Sequence, residues 1–155
     1  MGRAVGKQQF TTEFSGGRQV PPHFCKQIAI MNLHRYITEA KCRKLRYGSH
    51  DCVTFACRWA ELRSGVQFVP AYSSLKEGRL IVAEKSAVEI VAEHFEQVSP
   101  LMAQSGDLAV MPSMNDLPAF GVVYGHRIAC FVGREVGFVS LTDAQTAYRI
   151  PACHQ

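Results

Sequence analysis

The chain lacks any long hydrophobic run. Nowhere in its 155 residues is there a stretch approaching the ~18 consecutive apolar positions that a membrane-crossing helix needs. The opening Met1-Gly2-Arg3-Ala4-Val5-Gly6-Lys7-Gln8-Gln9 has no apolar segment, so no secretory signal is expected there. Cysteines are present at Cys25, Cys42, Cys52, Cys57, Cys130 and Cys153, but none forms a Cys-x-x-Cys pair and none groups with histidine at zinc-finger spacing. Without a signal segment, reduced thiols in a cytoplasm are the expectation. Internal repeats and low-complexity tracts are also missing. A broad basic surface is missing too. The net charge is +4, and Arg3, Lys7, Arg18 and Lys26 stand against Glu13 alone in the leading segment. The remainder is close to neutral, with no basic stripe interleaved with aromatics, so specific nucleic-acid binding is not expected.

What is present is enough apolar material for one domain with a core, since 47% of residues are hydrophobic. Residues 1–30 stand apart. They are polar and glycine-rich, broken by Ser15-Gly16-Gly17 and Pro21-Pro22, and show neither helical nor strand period. On its own such a segment is a flexible arm. Phe10, Phe14 and Phe24 are its sparse apolar anchors, expected to dock into neighbouring subunits. Ordering an arm costs ~1–2 kcal/mol per residue fixed, so many contacts are required, and its positive charge favours acidic partner surfaces. The domain proper is expected over residues 31–155, with Met31 a candidate alternative translation start.

Asn32 is suited to cap a helix in which Leu33, Tyr36, Ile37, Ala40 and Lys44 recur at helical spacing, with Gly48 as its end. A second helix is expected from Asp51 to about Ser64, with Gly65 as its stop. Its stripe Cys52, Phe55, Ala56, Trp59 and Leu62 places Trp59 between helix and sheet. Val66 to Tyr72 reads as a connector. Ser73–Glu84 and Ser86–Phe95 read as two more helices, with His94 at a helix surface. From Gly106 the pattern changes to strands: 108–111, 120–124, 128–132, 137–141 and 147–150, with turns at Gly125-His126 and Gly133-Arg134. Helices first and an antiparallel sheet later predict an α+β fold.

The chemically informative stretch is Tyr47-Gly48-Ser49-His50-Asp51-Cys52-Val53-Thr54-Phe55-Ala56-Cys57-Arg58-Trp59. A cysteine in the first turn of a helix meets unpaired N–H groups and the positive end of the dipole, which favour the thiolate. That reading predicts a Cys52 titrating below ~8.5. The alternative is that Cys52 is a small buried residue at the start of a buried stripe.

Tyr47-Gly48, then Asp51-Cys52 opening a helix, then Gly106-Asp107-Leu108 opening a strand, then Gly121-Val122-Val123-Tyr124-Gly125 resembles the NlpC-type, papain-like cysteine peptidases, which cleave bacterial cell-wall peptides. With Ala147-Tyr148-Arg149-Ile150 as its ending, the chain more closely resembles a small domain family of unknown function encoded in phage and prophage tail modules. The resemblance spans about Asn32 to Ile150. It implies a papain-like fold, N-terminal helices on a C-terminal antiparallel sheet, with no cofactor and no metal. Laid on this chain, the peptidase pattern puts the nucleophile at Cys52 and its strand glycine at Gly121. The catalytic histidine falls on Ala119, and the third, orienting group falls near Cys130-Phe131. Alanine cannot take a proton, so the usual base is missing. His126 lies about seven residues along the same strand, more than ~20 Å away at ~3.3 Å per residue. His50, two residues before Cys52, is the other candidate base; its alternative role is to cap or pack the turn.

The implied function is a phage or prophage tail-tip assembly protein with little or no peptidase activity. Such a protein belongs in the virion tail, is assembled in the host bacterial cytoplasm, and meets other tail subunits through the arm. The alternatives are an active peptidoglycan endopeptidase using Cys52, with His50 or a residue supplied by a partner as base, and a thiol acyltransferase on the same fold.

Overall fold

The computed structural model describes residues 32–69, 72–84, 86–114 and 117–152. The expectations for Phe10, Phe14 and Phe24, and for Met31 as a start, lie outside these residues. Among them the chain forms four α-helices followed by a six-stranded antiparallel sheet, the expected α+β order.

Helix α1 spans Leu33–Lys41, and Asn32 caps it by accepting the Arg35 N–H at 2.9 Å. It stops well short of Gly48, where the period alone carried it. The reason is tertiary. The Ala40 carbonyl is claimed by the Arg43 N–H at 3.2 Å and by the His50 ring at 3.0 Å, and Arg46 and His50 then exchange backbone hydrogen bonds across a tight turn.

Helix α2 spans Cys52–Ser64 between the expected stops, with Asp51 as N-cap and Gly65 as C-cap. It is buried almost all round rather than along one stripe. Val53, Thr54, Phe55, Ala56, Cys57, Trp59, Ala60 and Glu61 are all buried, as in a central helix packed from several sides. Helix α3 (Leu75–Glu84) begins two residues later than expected, because Ser74 Oγ accepts the Glu77 N–H and so acts as a cap. Helix α4 (Ala87–His94) carries a reciprocal capping box between Ser86 and Glu89. His94 is exposed at its end, as expected, and stacks on Phe68.

The strands are β1 (Glu96–Val98), β2 (Leu108–Met114), β3 (Leu117–Tyr124), β4 (Arg127–Val132), β5 (Glu135–Ser140) and β6 (Thr146–Arg149), in the spatial order β1-β6-β2-β3-β4-β5. Alternation gives the sheet two apolar faces. Leu108, Val110, Phe120, Val122, Ala129, Phe131 and Tyr148 join the helices in one core. Ala109, Met111, Ala119, Val123, Ile128 and Cys130 form a second cluster, packed by Ala103, Leu141 and Ala144 from around the 3-10 turns Pro100–Met102 and Leu141–Asp143. Gly121 belongs to the second face. A Cβ there would sit 2.3 Å from Ile128 Cγ2 and 2.8 Å from the Ala129 carbonyl, so only glycine allows β3 and β4 to approach this closely.

Two stretches of the resemblance meet physically. The Asp107 carboxylate, 1% exposed, accepts from Gln104 N–H, Ile150 N–H and Arg149 Nε, the last an ion pair at 3.0 Å. Arg149 also donates to the Met102 carbonyl at 2.9 Å. Gly106-Asp107-Leu108 and Ala147-Tyr148-Arg149-Ile150 are thus two halves of one buried polar joint.

Trp59 is 3% exposed, lies in the core between α2 and the sheet, and donates its indole N–H to the Gly106 carbonyl at 2.9 Å. The expected helix facing is therefore correct. Trp59→Ala removes this packing and leaves the Gly106 carbonyl without its donor. The loss expected in denaturant unfolding is ~3–5 kcal/mol.

Candidate functional site

Asp51 builds the site. Its carboxylate is 1% exposed and takes the Thr54 N–H at 2.8 Å, the Thr54 hydroxyl at 3.0 Å, the Gly48 N–H at 2.9 Å and the Tyr72 hydroxyl. Gly48 has φ +92°, and a Cβ on it would fall 1.8 Å from the Tyr72 carbonyl oxygen, so the turn before α2 needs glycine on both counts. This arrangement fixes where α2 starts and so where Cys52 stands.

Cys52 lines a cavity of about 330 Å³. Ala119 and Cys130 line the same cavity, as does Phe131. The positions that the resemblance assigns to nucleophile, base and orienting group therefore share one space, but hold a thiol, a methyl and a second thiol. Met111, Pro112, Phe120 and Val139 complete its apolar wall, and Asp143 lies at its exposed rim.

The thiol is not acidic. Burial, then the neighbouring Asp51 carboxylate, push Cys52 up to about 11. The backbone N–H groups of Phe120, Val53 and Cys52 itself act in the opposite sense and are outweighed. The expectation of a lowered Cys52 pKa is thus overturned: the helix N-terminus already holds a carboxylate, and the sulfur sits among apolar groups. Cys130 is raised to about 11 as well, by burial first and Asp143 second. Cys57, buried on α2, is also raised well above its ordinary value, by burial first.

His50 is committed elsewhere. It is 3% exposed, wedged edge-on between Phe55 and Phe131. Arg43 Nη2 donates to its Nδ1 at 2.9 Å, and arginine has no acceptor to offer, so Nδ1 carries no proton. The proton is on Nε2, which donates to the Ala40 carbonyl at 3.0 Å. Both nitrogens are occupied and the neutral ring is favoured: burial lowers its pKa first, and the Arg43 charge adds to that. His50 packs the turn; the structure does not give it to Cys52 as a base. His126 stands exposed in the β3–β4 turn, beside a separate depression lined by Ser105, Tyr124 and Arg127. Among the described residues no group of three His, Cys, Asp or Glu could hold a metal, and no helix is long and apolar enough to cross a membrane.

The sequence reading did not pick out Asp143, Met111 or Val139. Asp143 reaches the cavity because the Leu141–Asp143 turn folds back on the sheet, and no local pattern announces that.

The fold is thus an α+β domain in which Cys52 and Cys130 share a cavity with Ala119, the position that the resemblance assigns to the base. The chain belongs to a family described as a domain of unknown function (DUF6950), which matches residues 29–150. No curated protein and no solved structure matches it.

Two pH dependences follow from the geometry. A native Cys52 thiol held protonated to about 11, against an ordinary 9.0, stabilises the fold fully below pH 9, and that contribution disappears as the pH rises toward 11. Its alkylation rate should climb with pH up to about 11 rather than level off near 8.5. On the acid side, a histidine with a lowered pKa stabilises the fold above ~6.5 and loses that contribution as the pH falls below it. His50→Gln should flatten the acid limb of a stability-against-pH curve measured by urea unfolding.

Proposed function

We propose that this protein is a phage or prophage tail-tip assembly protein, built on a papain-like, NlpC-type fold that has lost peptidase chemistry. The observation that carries the proposal is the composition of the cavity. A cysteine peptidase needs a thiolate and an adjacent base. Here the thiol is protonated at neutral pH, Ala119 stands at the base position, and both nitrogens of the nearby His50 are bound to Arg43 and Ala40. The order of Asp51-Cys52, Gly106-Asp107-Leu108, Gly121 and the Arg149 ending resembles the peptidase plan and, more closely, the tail-module domains, and that resemblance supports the reading. In this reading the fold serves as a rigid body in an assembly, its leading segment embraces neighbouring subunits, and its place is the virion tail.

The test is made in the phage or prophage that encodes the chain. Cys52→Ser should leave particle assembly and infectivity nearly unchanged, and the purified protein should release no peptides from peptidoglycan. A chain starting at Met31 should fold but fail to enter particles. Cell-wall cleavage by the native protein that Cys52→Ser abolishes would instead establish the endopeptidase. Ala119→His returns an imidazole to the cavity. It should lower the pKa of Cys52 and raise its alkylation rate at pH 7 by ~10-fold or more, since each pKa unit is a factor of ten in thiolate.

A further inference from the structure

The cavity beside Cys52 is sized and lined for a guest. At about 330 Å³ it falls at the lower end of ligand-site volumes. Its walls are carbon and neutral sulfur, because both Cys52 and Cys130 stay protonated at neutral pH. Asp143 is the one acidic or basic side chain among the described residues that line it, and it is exposed at the rim. Its charge is felt inside, where it helps hold Cys130 protonated. An anionic guest would lose hydration and meet a like charge. An apolar guest with a positive end would fill the wall and place its charge at Asp143.

The strand geometry favours a peptide. The β3–β4 ladder runs from Tyr124↔Arg127 only as far as Val122↔Ala129, whereas β4 and β5 stay paired to Val132↔Glu135. Val123 directs its N–H to β2, at 2.8 Å from the Asp107 carbonyl. Antiparallel alternation therefore turns the Phe120 N–H to the other side, toward the cavity, where it acts on the Cys52 sulfur. The cavity thus lies where the β3–β4 ladder has ended, between Ala119 and Phe120 of one strand and Cys130 and Phe131 of the other, and an apolar hole set among strands is one element by which extended peptides are held, a side chain in a pocket.

We propose that this cavity binds an extended segment of a partner protein through one large apolar side chain flanked by lysine or arginine, the basic group pairing with Asp143. The proposal rests on reading the site as non-catalytic, and it assigns the partner chemistry that such a retained cleft would serve.

The test uses the full chain carrying Cys52→Ser, which lacks the thiol, so that failure to bind and discovery of thiol-dependent peptidase activity in the native protein are separate results. The probes are N-acetylated, C-amidated Phe-Lys, Phe-Gln and Phe-Glu, titrated while the backbone amide signals of Ala119, Cys130 and Val139 are followed by NMR. Phe-Lys should bind ~5-fold more tightly than Phe-Glu at low salt, with Phe-Gln between, as one rim charge pair allows. Asp143→Asn, at an exposed position that leaves the fold intact, should bring the three affinities together. Ala119→Leu, which fills the cavity, should weaken all three. Equal affinities for Phe-Lys and Phe-Glu, or a lysine preference that survives Asp143→Asn, would overturn the assignment, as would undisturbed signals at all three amides. If 4-phenylbutylamine binds as tightly as Phe-Lys, the site takes a small amine and the peptide assignment is wrong.

Discussion

The Asp51 carboxylate is the constraint on which the rest depends. A buried carboxylate is tolerated only if its oxygens are satisfied, and this one is served by two backbone N–H groups and two hydroxyls. In meeting that requirement it does three things at once. It starts α2, it closes the Tyr47–His50 turn, and it ties Tyr72 to the head of the central helix. It also sets the chemistry. The helix N-terminus favours one negative charge, and Asp51 supplies it, so a second charge on the adjacent sulfur is opposed. Cysteine at the first helical position therefore has opposite meanings in different surroundings. With an imidazolium beside it the sulfur ionises; with a carboxylate beside it and apolar walls around it, the sulfur remains a thiol.

The same logic separates the two arginine-bearing joints from the cavity. Arg43 fixes the tautomer of His50, and Arg149 neutralises Asp107, each within a network that is complete among the described residues. These groups hold the helices to the sheet and the sheet to itself. The cavity is left with neutral walls and one rim charge, an environment suited to holding a guest rather than transforming it.

Much of this was legible in the sequence, for reasons that differ element by element. Helix α2 was bounded correctly because its stops are local: Asp51 caps with its own side chain and Gly65 accepts a left-handed backbone. Strands β2 to β6 were legible because apolar runs alternate with glycine turns. Strand β1 was not, because Glu96-Gln97-Val98 is polar and short and becomes a strand only by pairing with Tyr148 and its neighbours. The early end of α1 was hidden for a related reason, since it depends on the His50 ring reaching back to Ala40. Ala119 and Cys130 were named beside Cys52 only through the resemblance; that the three line one cavity is a matter of packing, which no local pattern carries. The acidity of Cys52 was not legible either, since it depends on burial and on a charge whose effect on the sulfur is tertiary.

The sheet order carries one more consequence, in time rather than in space. Strand β6 lies between β1 and β2, so β1 has no strand neighbour until residues 146–149 arrive, and Asp107 has no counter-charge until Arg149 does. A ribosome delivers those residues after every other strand. The nascent domain must therefore wait with one edge of β2 unpaired and a carboxylate uncompensated, and it can close only when almost all of the domain has emerged.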